Sequence, residues 1–279
     1  MWWFTLFPFL VGPCAALAGV FTWMLTSGRK PEDGELVKDF LVALTMLLMA
    51  SFAITRTDWV RSRFDEGYQA RAAYLQMPVH VALKEHRPDE WKQMELVAVQ
   101  AFDEMVPPKV VLAQTRMHYP GLARRLLGTA QGGAVLAYAE ALVPVLDQLR
   151  TSAPAQCVRM AWPQIAADPF DPSPRLSAAV NLAYEQAVAR VVAENTASAV
   201  KGAWKAEASA SLQELQAGLE QVRAETAEKH GDAVAQLHTL AVAEMEPAAA
   251  CAATSELIAR TLKLEPRVAG AVLKQLLKG

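Results

Sequence analysis

From Trp2 to Thr26 the chain carries no charged side chain: WWFTLFPFLVGPCAALAGVFTWMLT. Some 25 residues of helix reach beyond the roughly 30 Å hydrocarbon core of a bilayer, so this run predicts a membrane-spanning helix. Trp2 and Trp3 at one end and Trp23 at the other lie about 30 Å apart along such a helix, the separation of the two membrane interfaces. A cleaved leader would place Lys or Arg before the apolar run, but only Met1 precedes Trp2, and the small residues Ala15 to Ala18 fall inside the run; a retained anchor is expected. Lipid modification of Cys14 is disfavoured because Pro13 precedes it and the basic leader is missing, so Cys14 reads as a small apolar helix residue. Pro8 and Gly12-Pro13 interrupt the backbone ladder, which lipid tolerates only where neighbouring groups satisfy the freed carbonyls. A partner helix is therefore expected.

The run FLVALTMLLMASFAI, Phe40 to Ile54, supplies it, closed by Arg56, Trp59, Arg61 and Arg63. Trp59 completes the expected interface set of Trp2, Trp3, Trp23 and Trp59. Ala43, Ala50, Ser51 and Ala53 are small enough for close packing against the first helix. The expected fold class is all-α: a two-helix transmembrane hairpin over 1–58, then an irregular antiparallel multi-helix extramembrane domain over 59–279. Orientation is nearly balanced, with Arg29, Lys30 and Lys38 in the hairpin loop and the α-amino group, Arg56, Arg61, Arg63 and the more distant Arg71 on the other side. The first helix alone favours a cytoplasmic loop, since Arg29 and Lys30 follow it and no basic side chain precedes it. Cys157 and Cys251 show no spacing of a disulfide framework, which tips the expectation to an integral membrane protein with a cytoplasmic domain.

The 279-residue chain is 53% hydrophobic and 20% charged, which excludes disorder. With 27 basic against 29 acidic residues and a pI near 6.2, bulk attraction to nucleic acid is excluded too. Beyond Asp58 the pattern is Ala, Leu, Val, Glu and Gln at helical spacing, without alternating β-branched runs. Helices are expected over Arg61–Gln76, from Pro88 through Trp91, Met94, Val97 and Phe102, from Gly133 to Arg150 with a kink or early stop at Pro144, and as a short segment over Ala153–Ile165. Lys109–Ala113 reads as a short strand or a helix start. Three prolines within Asp168–Pro174 forbid a continuous helix, marking a surface loop or subdomain break at 168–174. An apolar stripe follows through Val180, Tyr184, Ala187, Val188, Val191 and Val192. Leu212, Leu215, Leu219 and Val222 make a seam too short for an independent coiled coil, and so one face of a bundle helix. His230-Gly231-Asp232 reads as a helix end.

No catalytic signature is present. His80, His86, His118, His230 and His238 show no metal-ligand spacing, and phosphate-loop and nucleophile-elbow motifs are absent; no metal site and no cofactor is expected. Cys157 and Cys251 read as small core residues. Between Met105 and Ala139, Lys109, Arg116, His118, Arg124 and Arg125 occur with no acidic residue, and the turn Gly128–Gly133 precedes a helix. Arg116, His118, Arg124 and Arg125 are the candidate anion-binding residues, since guanidinium groups beside a glycine turn suit a phosphate or carboxylate. The stretch Glu207–Glu246 is acid-rich and offers a candidate partner surface. The expected function is a membrane-anchored, non-catalytic protein-interaction module, with the bilayer and another protein as partners and no nucleic acid. The alternative is a membrane-associated enzyme or binding protein for a lipid-like or phosphorylated anion.

Overall fold

The computed structural model describes residues 13–20, 22–23, 33–55, 57, 66–104, 106–162, 171–201, 210–237 and 244–277. Among these residues the chain is all-α, with thirteen bounded α-helices and no strand. It divides into two compact units, Met1–Ala72 and Ala73–Gly279.

In the first unit a helical segment over 13–20 lies against α1 (Asp33–Thr55). Cys14 Sγ sits 3.2 Å from Ser51 Oγ and 4.0 Å from the Leu47 carbonyl. Cys14, Ala18 and Thr22 are buried, and Thr22 Oγ1 donates to the Ala18 carbonyl at 2.8 Å. Of the small residues expected at this contact Ala43 and Ser51 are half-buried, whereas Ala50 and Ala53 are exposed. The inward line on α1 is Ala43, Leu44, Leu47, Leu48 and Ser51, a set that recurs at three- to four-residue spacing on one helix face. Among the described residues no helix is long and apolar enough to cross a membrane, so the expected transmembrane hairpin is not carried by these helices. Residues 33–39 of α1 include Asp33, Glu35, Lys38 and Asp39. Its uncharged part, Phe40–Ile54, makes only about 22 Å of helix at 1.5 Å per residue. Trp2, Trp3 and Trp59 lie outside the described residues; Trp23 is helical and exposed.

The second unit runs from the end of α2 (Glu66–Leu75) through α3 (Pro78–His86), α4 (Pro88–Asp103), α5 (Pro108–Arg116), α6 (Tyr119–Leu127), α7 (Gly132–Ser152) and α8 (Pro154–Ala161). After a 3-10 turn at Ser173–Arg175 come α9 (Ala178–Lys201), α10 (Leu212–His230), α11 (Ala233–Gln236), α12 (Pro247–Thr261) and α13 (Pro266–Leu277). Proline is the first residue of α3, α4, α5, α8, α12 and α13. The first turn of a helix has no partner for its N–H groups, so proline's missing donor costs nothing there and its fixed φ favours the start. This settles Lys109–Ala113 as helix.

Helix α7 is the hub, packed against α8, α9, α12 and α13, while α9 also lies on α3 and α6. Its buried residues Ala134, Val135, Tyr138, Ala139, Leu142, Val145, Leu146 and Leu149 recur every three to four positions and form one broad stripe. The helix passes through Pro144 without stopping. The carbonyl that Pro144 cannot engage belongs to Glu140, an exposed residue, where water can take the missing donor's place. The stripe expected on α9 is present, with Tyr184, Ala187, Val188, Val191 and Val192 buried. On α4 Trp91, Met94 and Phe102 of the expected face pack on the core, whereas Val97 is exposed and its neighbour Ala98 is buried in its place. On α10 Leu215, Leu219 and Val222 of the expected seam pack on the core beside buried Gly218 and Thr226, and Leu212 is exposed. At Gly218 a Cβ would meet Val268 Cγ1 at 2.8 Å, so α13 approaches α10 more closely than a side chain there would permit.

Cys157 on α8 and Cys251 on α12 form a disulfide, with Cα atoms 5.7 Å apart and both residues fully buried. This corrects their reading as separate core residues. The sequence separation of 94 hides the relation from any local spacing rule. Of the 168–174 break, residues 168–170 lie outside the described residues, and Asp171 Oδ1 accepts from the Ser173 backbone N–H at 2.9 Å.

Candidate functional site

The four candidate anion-binding residues sit on or between α5 and α6, and neighbouring elements claim the three arginines separately. Arg116 Nε donates to Glu185 Oε1 on α9 at 2.8 Å, and Asn181 Nδ2, one turn earlier, donates to the same oxygen at 3.1 Å. Arg124 Nη2 donates to the Ala161 carbonyl at the end of α8, where unpaired carbonyls accumulate. Burial pulls the Arg124 guanidinium below its ordinary pKa, against the opposing influence of Tyr138 and Tyr184. Arg125 Nη2 pairs with Glu90 Oε2 at 2.6 Å, and Arg87 holds the other oxygen of Glu90 at 2.6 Å. His118 is exposed at the N-cap of α6 and makes no side-chain capping bond there. The glycine turn before α7 is tied from α9, because Asn195 Nδ2 donates to the Leu126 carbonyl and to Thr129 Oγ1. Chemically these groups act as helix-to-helix ties.

A buried polar arrangement lies elsewhere, where α3, α4 and α6 meet the end of α2. His80 is fully buried among Tyr74, Trp91 and Tyr119, with ring centroids 4.2, 5.4 and 6.0 Å away. Its Nδ1 lies 2.5 Å from the Tyr74 carbonyl and its Nε2 3.0 Å from the Tyr119 hydroxyl. A carbonyl only accepts, so Nδ1 carries the proton and Nε2 accepts from Tyr119. Burial lowers the His80 pKa to about 4, aided by the Arg116 charge and opposed by the Tyr74 carbonyl. Burial also raises the Tyr119 hydroxyl, Glu185 adding to the effect. The pair is thus held neutral, with both imidazole nitrogens occupied by protein atoms. The sequence reading missed it, because neither partner lies at a motif spacing from His80.

Within the acid-rich stretch Glu214 and Glu225 form ion pairs. Glu214 meets Arg267 at 2.6 Å, and Arg260 bridges Glu225 at 3.1 Å and Glu256 at 2.8 Å. Lys229 reaches Glu256 at 2.9 Å. The Arg267 bond, followed by the backbone and hydroxyl of Ser211, holds the Glu214 carboxyl at about 2. Ser211 and Glu214 form a reciprocal capping box at the start of α10, a S-x-x-E signal legible in the sequence but not used in its reading. Among the described residues no group of three His, Cys, Asp or Glu side chains is placed to hold a metal ion. Comparison of the chain with protein-family models, curated proteins and solved structures finds no match.

Proposed function

We propose that this is a membrane-anchored, non-catalytic helical module that binds another protein, its first two apolar segments forming the anchor. The observation that carries the reading is the apolar exterior of the first unit. Cys14, Thr22 and Ser51 lie between or within its helices, while Trp23, Met46 and Met49 are 68%, 67% and 69% exposed, beside exposed Leu17, Leu41 and Phe52. A water-facing helix pair buries its apolar residues and exposes its polar ones. Lipid, by contrast, welcomes apolar side chains on the outside and small or hydroxyl residues at the helix contact. The uncharged part of α1 is some 8 Å shorter than a full hydrocarbon core, a mismatch that local thinning of the bilayer accommodates at modest cost.

For the partner, the support is the adjacent exposed pair Leu96 and Val97 on α4, at 69% and 66%, together with arginines that are spent on internal ties. Alkaline carbonate extraction of membranes holding the full chain tests the anchor: retention in the pellet is expected, and release into the supernatant overturns it. For the partner surface, the full chain is recovered from mildly solubilised membranes beside the Leu96→Lys/Val97→Lys variant. Loss of a stoichiometric co-purifying protein, with helical circular dichroism unchanged, is the expected result. Equal recovery from both overturns that surface.

A further inference from the structure

We infer that the helical unit Ala73–Gly279 works on the oxidising, non-cytoplasmic side of the membrane, with the polar segment 27–39 on the cytoplasmic side and the binding partner in the same compartment as the helical unit. The sidedness of that segment rests on the anchor proposed above; the oxidising environment of the helical unit does not. Two observations meet here. The first is the Cys157–Cys251 bond, which ties α8 to α12 beside the α7 hub, with both residues shut off from solvent. Forming it removes two protons and two electrons from the thiols. Those electrons leave by exchange with a disulfide-bearing thiol oxidase, which departs as a dithiol. Such an oxidant is maintained outside the reducing cytoplasm, where glutathione and thioredoxin keep thiols reduced. Burial of both sulfurs in the core then protects the bond from later exchange.

The second is the charge around the first apolar run. Arg29 and Lys30 follow Thr26 at once and Lys38 lies just before Phe40. Short basic loops stay on the cytoplasmic side. The near balance against Arg56, Arg61 and Arg63 left the cysteines to decide the orientation. Read as unpaired they favour a cytoplasmic helical unit; paired, they reverse it, and the basic segment then lies on the cytoplasmic side.

The test uses the full chain in a bacterial expression host. Cells are quenched in acid, denatured and treated with a polyethylene-glycol maleimide, which adds one gel shift per free thiol. One adduct is expected, from Cys14, rising to three after reduction. Three adducts without reductant would overturn the inference. Side is read separately with a membrane-impermeant maleimide on spheroplasts of the Cys14→Ser background. Gln213→Cys, at an exposed position of α10, is expected to react in intact spheroplasts, and Ser27→Cys only after permeabilisation; the opposite order overturns the orientation. A chain released by alkaline carbonate yet still giving one adduct would refute the anchor while upholding the oxidising compartment.

Discussion

His80 is a base with nowhere to put a proton. Its Nδ1–H is committed to the Tyr74 carbonyl and its Nε2 to the Tyr119 hydroxyl, inside an aromatic wall. Folded, it titrates near 4, whereas an unfolded histidine takes up a proton near 6.5. Between those values the unfolded chain binds more protons, so stability is highest above about pH 6.5 and falls as the pH drops toward 4. The full difference is on the order of 3 kcal/mol at 1.36 kcal/mol per unit. His80→Gln keeps a donor and an acceptor without the charge. Urea midpoints measured from pH 7 to pH 4 are expected to fall more steeply for the wild type than for this variant, and parallel curves would disprove the role. None of this was legible beforehand: Tyr119 is 39 residues away, and sequence distance of that size carries no angular information.

At the scale of single elements the chain was far more legible, because capping, proline placement and 3.6-residue periodicity act within one or two turns. The end of α10 is an example. Gly231 follows His230 with φ 59° and ψ −143°, a backbone region closed to side chains at a cost of about 1–3 kcal/mol. Gly231→Ala should therefore lower the melting temperature by several degrees, at roughly 2–4 °C per kcal/mol for a chain of this size. Gly121 gives the opposite sign. It lies inside α6, with nothing within 4 Å of a Cβ placed there, so Gly121→Ala should stabilise by about 0.5–1 kcal/mol through helix propensity. Paired thermal melts check both, and shifts of the same sign would contradict the assignment. Where local reading went astray, as at Val97, the rest of the expected face of α4 (Trp91, Met94, Phe102) is inward and Ala98 takes the place of Val97, a choice between adjacent positions that belongs to the neighbours.

For the whole molecule, the Cys157–Cys251 link closes 94 residues and spans much of the helical unit. By the chain-entropy model a loop of that size restricts the unfolded chain by about 4–5 kcal/mol. Reduction, or the Cys157→Ser/Cys251→Ser variant, is expected to move the denaturant midpoint sharply downward, and an unchanged midpoint would mean that the bond contributes nothing to stability. The all-α class, the hydrophobic face of α9, the proline-led helix starts and the apolar character of the first unit could all be read from residue order, because each depends on side chains a few positions apart on one backbone. The disulfide, the separate claims on Arg116, Arg124 and Arg125, and the neutral His80–Tyr119 pair could not. They join groups between 35 and 94 residues apart, and such pairs are selected by which helix faces pack together, a choice made by burial of the α7 hub from several sides at once.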